Sequence, residues 1–132
     1  MSQNVKKGDD FDWVSACFAC SPVVAFKKLK DGIKYDVESM QSKTAGKPYG
    51  FRFDSDGDSC IAILEANRVH ESVTFTLKDR VIVITDTKDK PILTAVPTID
   101  DEGDCILRVG DKECEFWQVR KMSLNRLFFR NW

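Results

Sequence analysis

Two cysteines three residues apart, Cys17 and Cys20, stand directly before a Ser21-Pro22 pair in the stretch CFACSPVVAF. A C-x-x-C pair carries redox chemistry when a helix N-terminus lowers the thiolate pKa, an arrangement found beside βαβ units. Cys20 does precede a helix-start signal here. However, no strand reads upstream of it, and the intervening Phe18-Ala19 is apolar. A zinc site needs four ligands, usually from two such pairs. The other candidates, Cys60, His70, Cys105 and Cys114, lack a short knuckle spacing. The pair therefore reads as packing, since free cysteine behaves as a small hydrophobe. Phe11, Trp13, Val14, Cys17, Phe18 and Cys20 would form the apolar side of an N-terminal cap. Five cysteines is an odd count in a chain long enough to fold without staples, so all five are expected reduced and the setting cytoplasmic.

In DSDGDSCIAILE, Asp54, Asp56 and Asp58 take positions one, three and five of a twelve-residue frame that Glu65 closes. Alternate carboxylates can converge on a hard cation while a final Glu completes the shell, and the spacing resembles the calcium loop of the EF-hand. The resemblance implies a calcium site at these four residues. Two features oppose it. Position six is Ser59 instead of the turn-making glycine, and Pro48, Gly50 and the run Ile61 to Leu64 read as strand where helices should flank the loop. The competing reading is an acidic hairpin turn, in which Asp and Gly are the expected residues. The expectation is no structural zinc, no tight calcium and no other cofactor. His70, the single histidine, sits beside Glu71 in a stretch read as connecting two strands, and no nucleophile or phosphate motif accompanies it. An enzyme would need a site assembled from scattered residues.

The C-terminal segment has a different chemistry. Residues 117–132 contain Arg120, Lys121, Arg126 and Arg130 and no acid, interleaved with Trp117, Phe128, Phe129 and Trp132. The compensating acids concentrate at residues 54–58 and 100–104. Aromatic residues and arginine are enriched in protein contacts. The same mixture can grip single-stranded nucleic acid, but a net charge of −1 provides no general pull toward nucleic acid or an anionic membrane. In a terminal helix, Leu124, Leu127 and Phe128 point inward while Ser123, Arg126 and Arg130 share the opposite face, and Phe129 turns off the buried stripe. Arg126, Phe129, Arg130 and Trp132 are thus the expected binding residues. The expected partner is a protein or a second copy of the chain. An apolar small ligand held between helix and sheet beside Ile33 is the alternative.

These residues need a scaffold. A chain of 132 residues suits one domain, here residues 11–132 behind a loose polar tail of residues 1–10. The start carries no apolar secretory segment, and no run reaches the ~18 apolar residues of a membrane span. Residues 11–19 suit a short helix capped by Asp10. Ser21 as N-cap with Pro22 at the first position opens a second helix, whose stripe is Phe26, Leu29, Ile33, Val37 and Met40. After Pro48 the period changes to two. Strands follow at 49–53, 60–66, 72–78, 80–86, 91–99, 105–109 and 114–119, with Pro97 marking an edge or a bulge and a helix closing the chain from about Arg120. The fold class is α+β. A meander of six to seven antiparallel strands, curled or half-barrel, packs on an N-terminal helical segment, with a short C-terminal helix. Such a layout suits a small non-catalytic binding module, adaptor- or chaperone-like.

Overall fold

The computed structural model describes residues 8–130; residues 1–7 of the expected tail and the candidate Trp132 lie outside the described residues. Ten elements follow in order: helices α1 (Trp13–Ala19) and α2 (Pro22–Lys43), strands β1 (Tyr49–Asp56), β2 (Ser59–Ala66), β3 (Val69–Lys78), β4 (Val81–Asp86), β5 (Pro91–Ile99), β6 (Cys105–Val109) and β7 (Lys112–Cys114), then helix α3 (Phe116–Phe129). The strands form one seven-stranded sheet in sequence order, every neighbour antiparallel, with β1 and β7 at its edges. The α+β meander expected from the sequence is the observed fold. No helix among the described residues is long and apolar enough to cross a membrane.

Local chemistry explains the boundaries. The Ser21 hydroxyl accepts from the Val24 N–H at 3.4 Å, and Pro22 occupies the first turn of α2. Two-residue turns at Gly57-Asp58 and Gly110-Asp111 join β1 to β2 and β6 to β7, with both glycines at positive φ. The first helix begins later than expected. Its cap is Asp12, whose carboxylate accepts from the Ser15 N–H at 3.0 Å and the Ser15 hydroxyl at 2.7 Å. The last helix begins earlier than expected, at Phe116, because Gln118 Oε1 accepts from the Glu115 N–H at 2.8 Å. Of the segment 114–119, read as strand from its alternation, Cys114 is in β7, Glu115 is the N-cap and 116–119 are helical. His70 lies within β3 opposite Glu65, not in a connection.

Pro97 is not at a bulge, but it does occupy an edge position: β5 is an inner strand of the sheet, yet at Pro97 it pairs on one side only. Pairing of β5 with β4 ends at Ala95, and its pairing with β6 starts at Val96. Past Ala95 the β4 side of the strand has no ladder to lose, so the missing proline N–H costs no sheet hydrogen bond. The irregularity of β5 falls instead opposite Ile84 and Thr85.

The core is the interface between α2 and the inner face of the sheet. Leu29, Ile33 and Val37 are fully buried, as are Phe75, Ile82, Ile84 and Ala95 opposite them. Each such side chain contributes about 1.5–3 kcal/mol through apolar burial. Ile33 is filled around by this core, and the clefts described below flank α3 instead.

The cysteines depart from expectation. Cys20, at the corner between α1 and α2, is disulfide-bonded to Cys105 at the start of β6, with Cα atoms 5.3 Å apart. Sequence spacing cannot reveal this, because the partners are 85 residues apart and meet only when β6 passes beneath the helical corner. Nor does an apolar cap form as expected. No residue of α1 is buried, and Trp13, Val14, Cys17 and Phe18 are all exposed. Cys60 and Cys114 are buried, and burial pushes the Cys60 thiol up to about 12 despite the nearby Lys30.

Thiol titration checks this assignment. Without reductant, Cys17 should react in the folded protein, three thiols after denaturation, and all five once the bridge is reduced. Closing a loop of this length constrains the unfolded chain, so reduction should lower stability by about 3–5 kcal/mol in urea denaturation. Five reactive thiols in the unreduced denatured protein would refute the bridge.

A second check concerns two capping aspartates, Asp86 and Asp12. Backbone N–H groups of Lys90 and Lys88 donate to the Asp86 carboxylate at 3.0 and 2.9 Å and hold its pKa below the ordinary value, as Ser15 does for Asp12. A depressed folded-state pKa gives stability that is present above the ordinary carboxylate range and lost as pH falls through the folded value. Carboxyl titration by NMR should place both midpoints below those of Asp86 and Asp12 in the unfolded chain, and the acid limb should shrink in Asp86→Asn.

Candidate functional site

Helix α3 lies against the α2 side of the sheet and buries Phe116, Val119, Ser123, Leu124 and Leu127. Ser123 is inside, donating its hydroxyl to the Val119 carbonyl at 2.7 Å, and not on the outer face with Arg126. Phe128 is half-buried and meets Phe51 edge-on at 5.1 Å.

A half-buried ion pair fixes α3 to α2: Arg120 Nε donates to Asp36 Oδ2 at 2.7 Å, with about a quarter or less of each side chain exposed. Gly32 makes this possible. A Cβ there would lie 2.6 Å from Arg120 Nη1, so the glycine, which weakens an isolated helix, leaves room for the guanidinium to cross α2.

Three clefts surround α3. The first, about 330 Å³, runs between α2 and α3. Buried Met40 and Leu124 form its floor, Tyr35 and Trp117 its walls, and Lys43 and Lys121 its rim. The second, about 410 Å³, opens on the other side of the Trp117-Lys121-Asn125 ridge and reaches Met122 and Lys112. Those two clefts share Trp117, Lys121 and Asn125 and so form one surface. Its large apolar side chains are substantially exposed: Tyr35 68%, Trp117 50%, Met122 41% and Phe129 38%. Its one lining carboxylate, Asp36, is paired to Arg120. The third cleft, about 350 Å³, lies between the C-terminal end of α3 and the β1–β3 corner. Tyr49, Phe51, Leu64, Val69, Leu127 and Phe128 line it, and the Glu71–Arg130 ion pair stands beside them.

The residues expected to act together are divided by this geometry. Phe129 lines the α2–α3 cleft, Arg130 turns toward β3 to pair with Glu71, and Arg126 is exposed between them. Tyr35, Lys43 and Trp117 carry more of the surface than the sequence reading assigned to them. Tyr35 was legible as an aromatic off the α2 stripe. Trp117 was legible among the C-terminal aromatic residues, but the strand reading of its segment kept it from being assigned to the contact.

The four residues of the calcium frame are spread along a hairpin. Asp54 faces Ile61 across the ladder, and Glu65 lies four residues further on, roughly 13 Å along the strand. Arg52 approaches both, at 3.6 Å from Asp54 and 3.7 Å from Glu65. Among the described residues, no group of three or more His, Cys, Asp or Glu side chains is placed to hold a metal ion.

No protein-family model matches the chain, no curated protein matches its sequence, and no solved structure matches its fold.

The Gly32–Arg120–Asp36 arrangement yields a double-mutant test. In an Arg120→Ala background, Gly32→Ala should stabilise by up to about 1 kcal/mol, the usual helix-interior gain. In the wild type it should gain less or destabilise, because the guanidinium is displaced from Asp36. Urea denaturation of the four proteins measures the difference. Equal gains in both backgrounds would mean that Gly32 does not seat Arg120.

Proposed function

We propose that the protein is a non-catalytic binding module that holds a protein partner against the outer surface of α3. The observation that carries this reading is the continuous surface around Trp117, where exposed aromatic and apolar side chains are rimmed by lysines. Large aromatics in a shallow apolar setting are the usual anchors of protein contacts. The carboxylates that line the clefts are each committed to an arginine, Asp36 to Arg120 and Glu71 to Arg130, which suits fixed architecture better than proton transfer. Arg126, Phe129 and Trp132 would extend the contact toward the C-terminus. Nucleic acid is the less favoured partner at a net charge of −1. A cytoplasmic setting belongs to the same proposal. The Cys20–Cys105 bridge weighs against it, since structural disulfides persist in oxidising compartments.

A second reading rests on the cleft at the β1–β3 corner. Its apolar walls suit a small apolar molecule, and a carboxylate on that molecule would compete with Glu71 for Arg130. Val69→Trp, which fills this cleft from its rim, separates the two readings. It should abolish small-ligand binding and leave protein binding intact.

The principal test compares immobilised wild-type protein with Trp117→Ser/Lys121→Glu at matched melting temperature. Association, with itself or with a protein of the extract, should weaken at least about tenfold in the variant. Identical binding by the two proteins would remove the α3 surface from consideration.

A further inference from the structure

Much of the α3 surface is exposed, and α1, which touches α2 and β6 and is bridged to β6 just beyond its end, also leaves its large apolar side chains in solvent. Trp13, Val14 and Phe18 of α1 are 66%, 46% and 73% exposed, and none of the helix's residues is buried. Three exposed aspartates, Asp9, Asp10 and Asp12, lead into it. The α3 surface has the opposite character, an aromatic and apolar trough bordered by Lys43, Lys112 and Lys121. One is an uncharged aromatic helix whose described flank carries Asp9, Asp10 and Asp12, and the other is an aromatic groove bordered by lysines.

Resting on the reading of α3 as a binding surface, we propose that its partner is a second copy of this chain, whose α1 lies in the groove with its aspartates toward the lysine rim.

A helix is the fitting occupant. The groove is walled by two helices whose backbone groups are already paired, so it provides no ladder for an extended peptide. Along α2 it runs from Tyr35 to Lys43, about 12 Å. A seven-residue helix such as α1 is about 10 Å long. The chain's own α1 does not reach that far. The Cys20–Cys105 bridge pins its end at β6, and Tyr35 lies about 20 Å along α2 from Pro22. Contact must therefore be between copies. If each α1 enters the other copy's groove, the assembly closes as a two-fold dimer and both exposed surfaces are covered at once.

The test is a charge exchange, read by sedimentation in a Cys17→Ser background so that no intermolecular disulfide contributes. The parent protein should be dimeric at about 100 μM, and its association should weaken at least about tenfold on raising salt from about 50 to 500 mM. Asp9→Lys/Asp10→Lys places a basic segment before a basic groove, and Lys43→Glu/Lys121→Glu places an acidic groove opposite an acidic segment. Each variant alone should be monomeric. Mixed together they should form a heterodimer, because both exchanged contacts are then complementary. A parent that is monomeric at this concentration would overturn the proposal, yet leave the α3 surface open to a different protein if the Trp117→Ser/Lys121→Glu variant still loses one. A dimer that survives the α1 changes but not the groove changes would also overturn it, by showing that another part of the second copy occupies the groove.

Discussion

The sheet and α3 are arranged around the need to cover the apolar stripe of α2. A 22-residue helix with Phe26, Leu29, Ile33, Val37 and Met40 on one side cannot leave that side in water. The meander supplies the cover, because a twisted antiparallel sheet is concave toward one face and alternation places Val73, Phe75, Ile82, Ile84 and Ala95 there. Two-residue turns keep successive strands adjacent, so the sheet wraps the helix in sequence order without a crossover. One helix does not fill such a sheet. The rest of that face is covered by α3, which packs beside α2 against β3, β5 and β6 and whose Val119, Leu124 and Leu127 complete the same core.

The way α3 is fastened determines the surface that it presents. Its buried side faces the core, and the Arg120–Asp36 pair holds it against α2 at the point where Gly32 permits close approach. A side chain at position 32 would compete for the space that the guanidinium occupies. With the helix fixed there, its rotation is set. Trp117 and Lys121 then face outward beside Tyr35 and Lys43, and Arg130 is carried round to Glu71. The groove is thus a consequence of core packing and of one ion pair. It needs no loop to shape it, which suits a surface that must be presented in one form.

The elements that could be read from sequence are those governed by local rules. Ser21-Pro22, the three-and-four spacing of α2 and the alternation of β3 each depend on neighbours in the chain, and each is found where its pattern placed it, β3 extending three residues further back to Val69. Most of what could not be read depends on contacts distant in sequence. The start of α3 is the exception, because CEFWQV alternates like a strand while a local bond between Glu115 and Gln118, three residues apart, opens a helix. Pattern marked Pro97 as an edge position but could not show that the edge arises where β4 stops pairing. The surroundings of the site were the hardest part to read. Arg126, Phe129 and Arg130 share one side of α3 by their spacing, yet Phe129 borders α2 and Arg130 reaches Glu71 of β3, while Tyr35 and Trp117 converge from distant parts of the chain.

The N-terminal helix follows a different logic from the rest. A helix of seven residues is too short to be stable by propensity in water, and α1 has no buried face to compensate. It is held by an Asp12–Ser15 cap at one end and by the Cys20–Cys105 bridge just beyond the other. Those two devices restrict the chain without hiding its aromatic side chains. A segment meant only to fill the core would be expected to spend Trp13 and Phe18 there, because burying such rings yields the largest apolar gain available to a side chain. Instead they are kept outside on a tethered, pre-shaped helix. Pre-ordering lowers the conformational entropy that any later contact must overcome, so the exposed aromatics and the staple beneath them have one physical rationale: α1 is held in the form in which it would be bound.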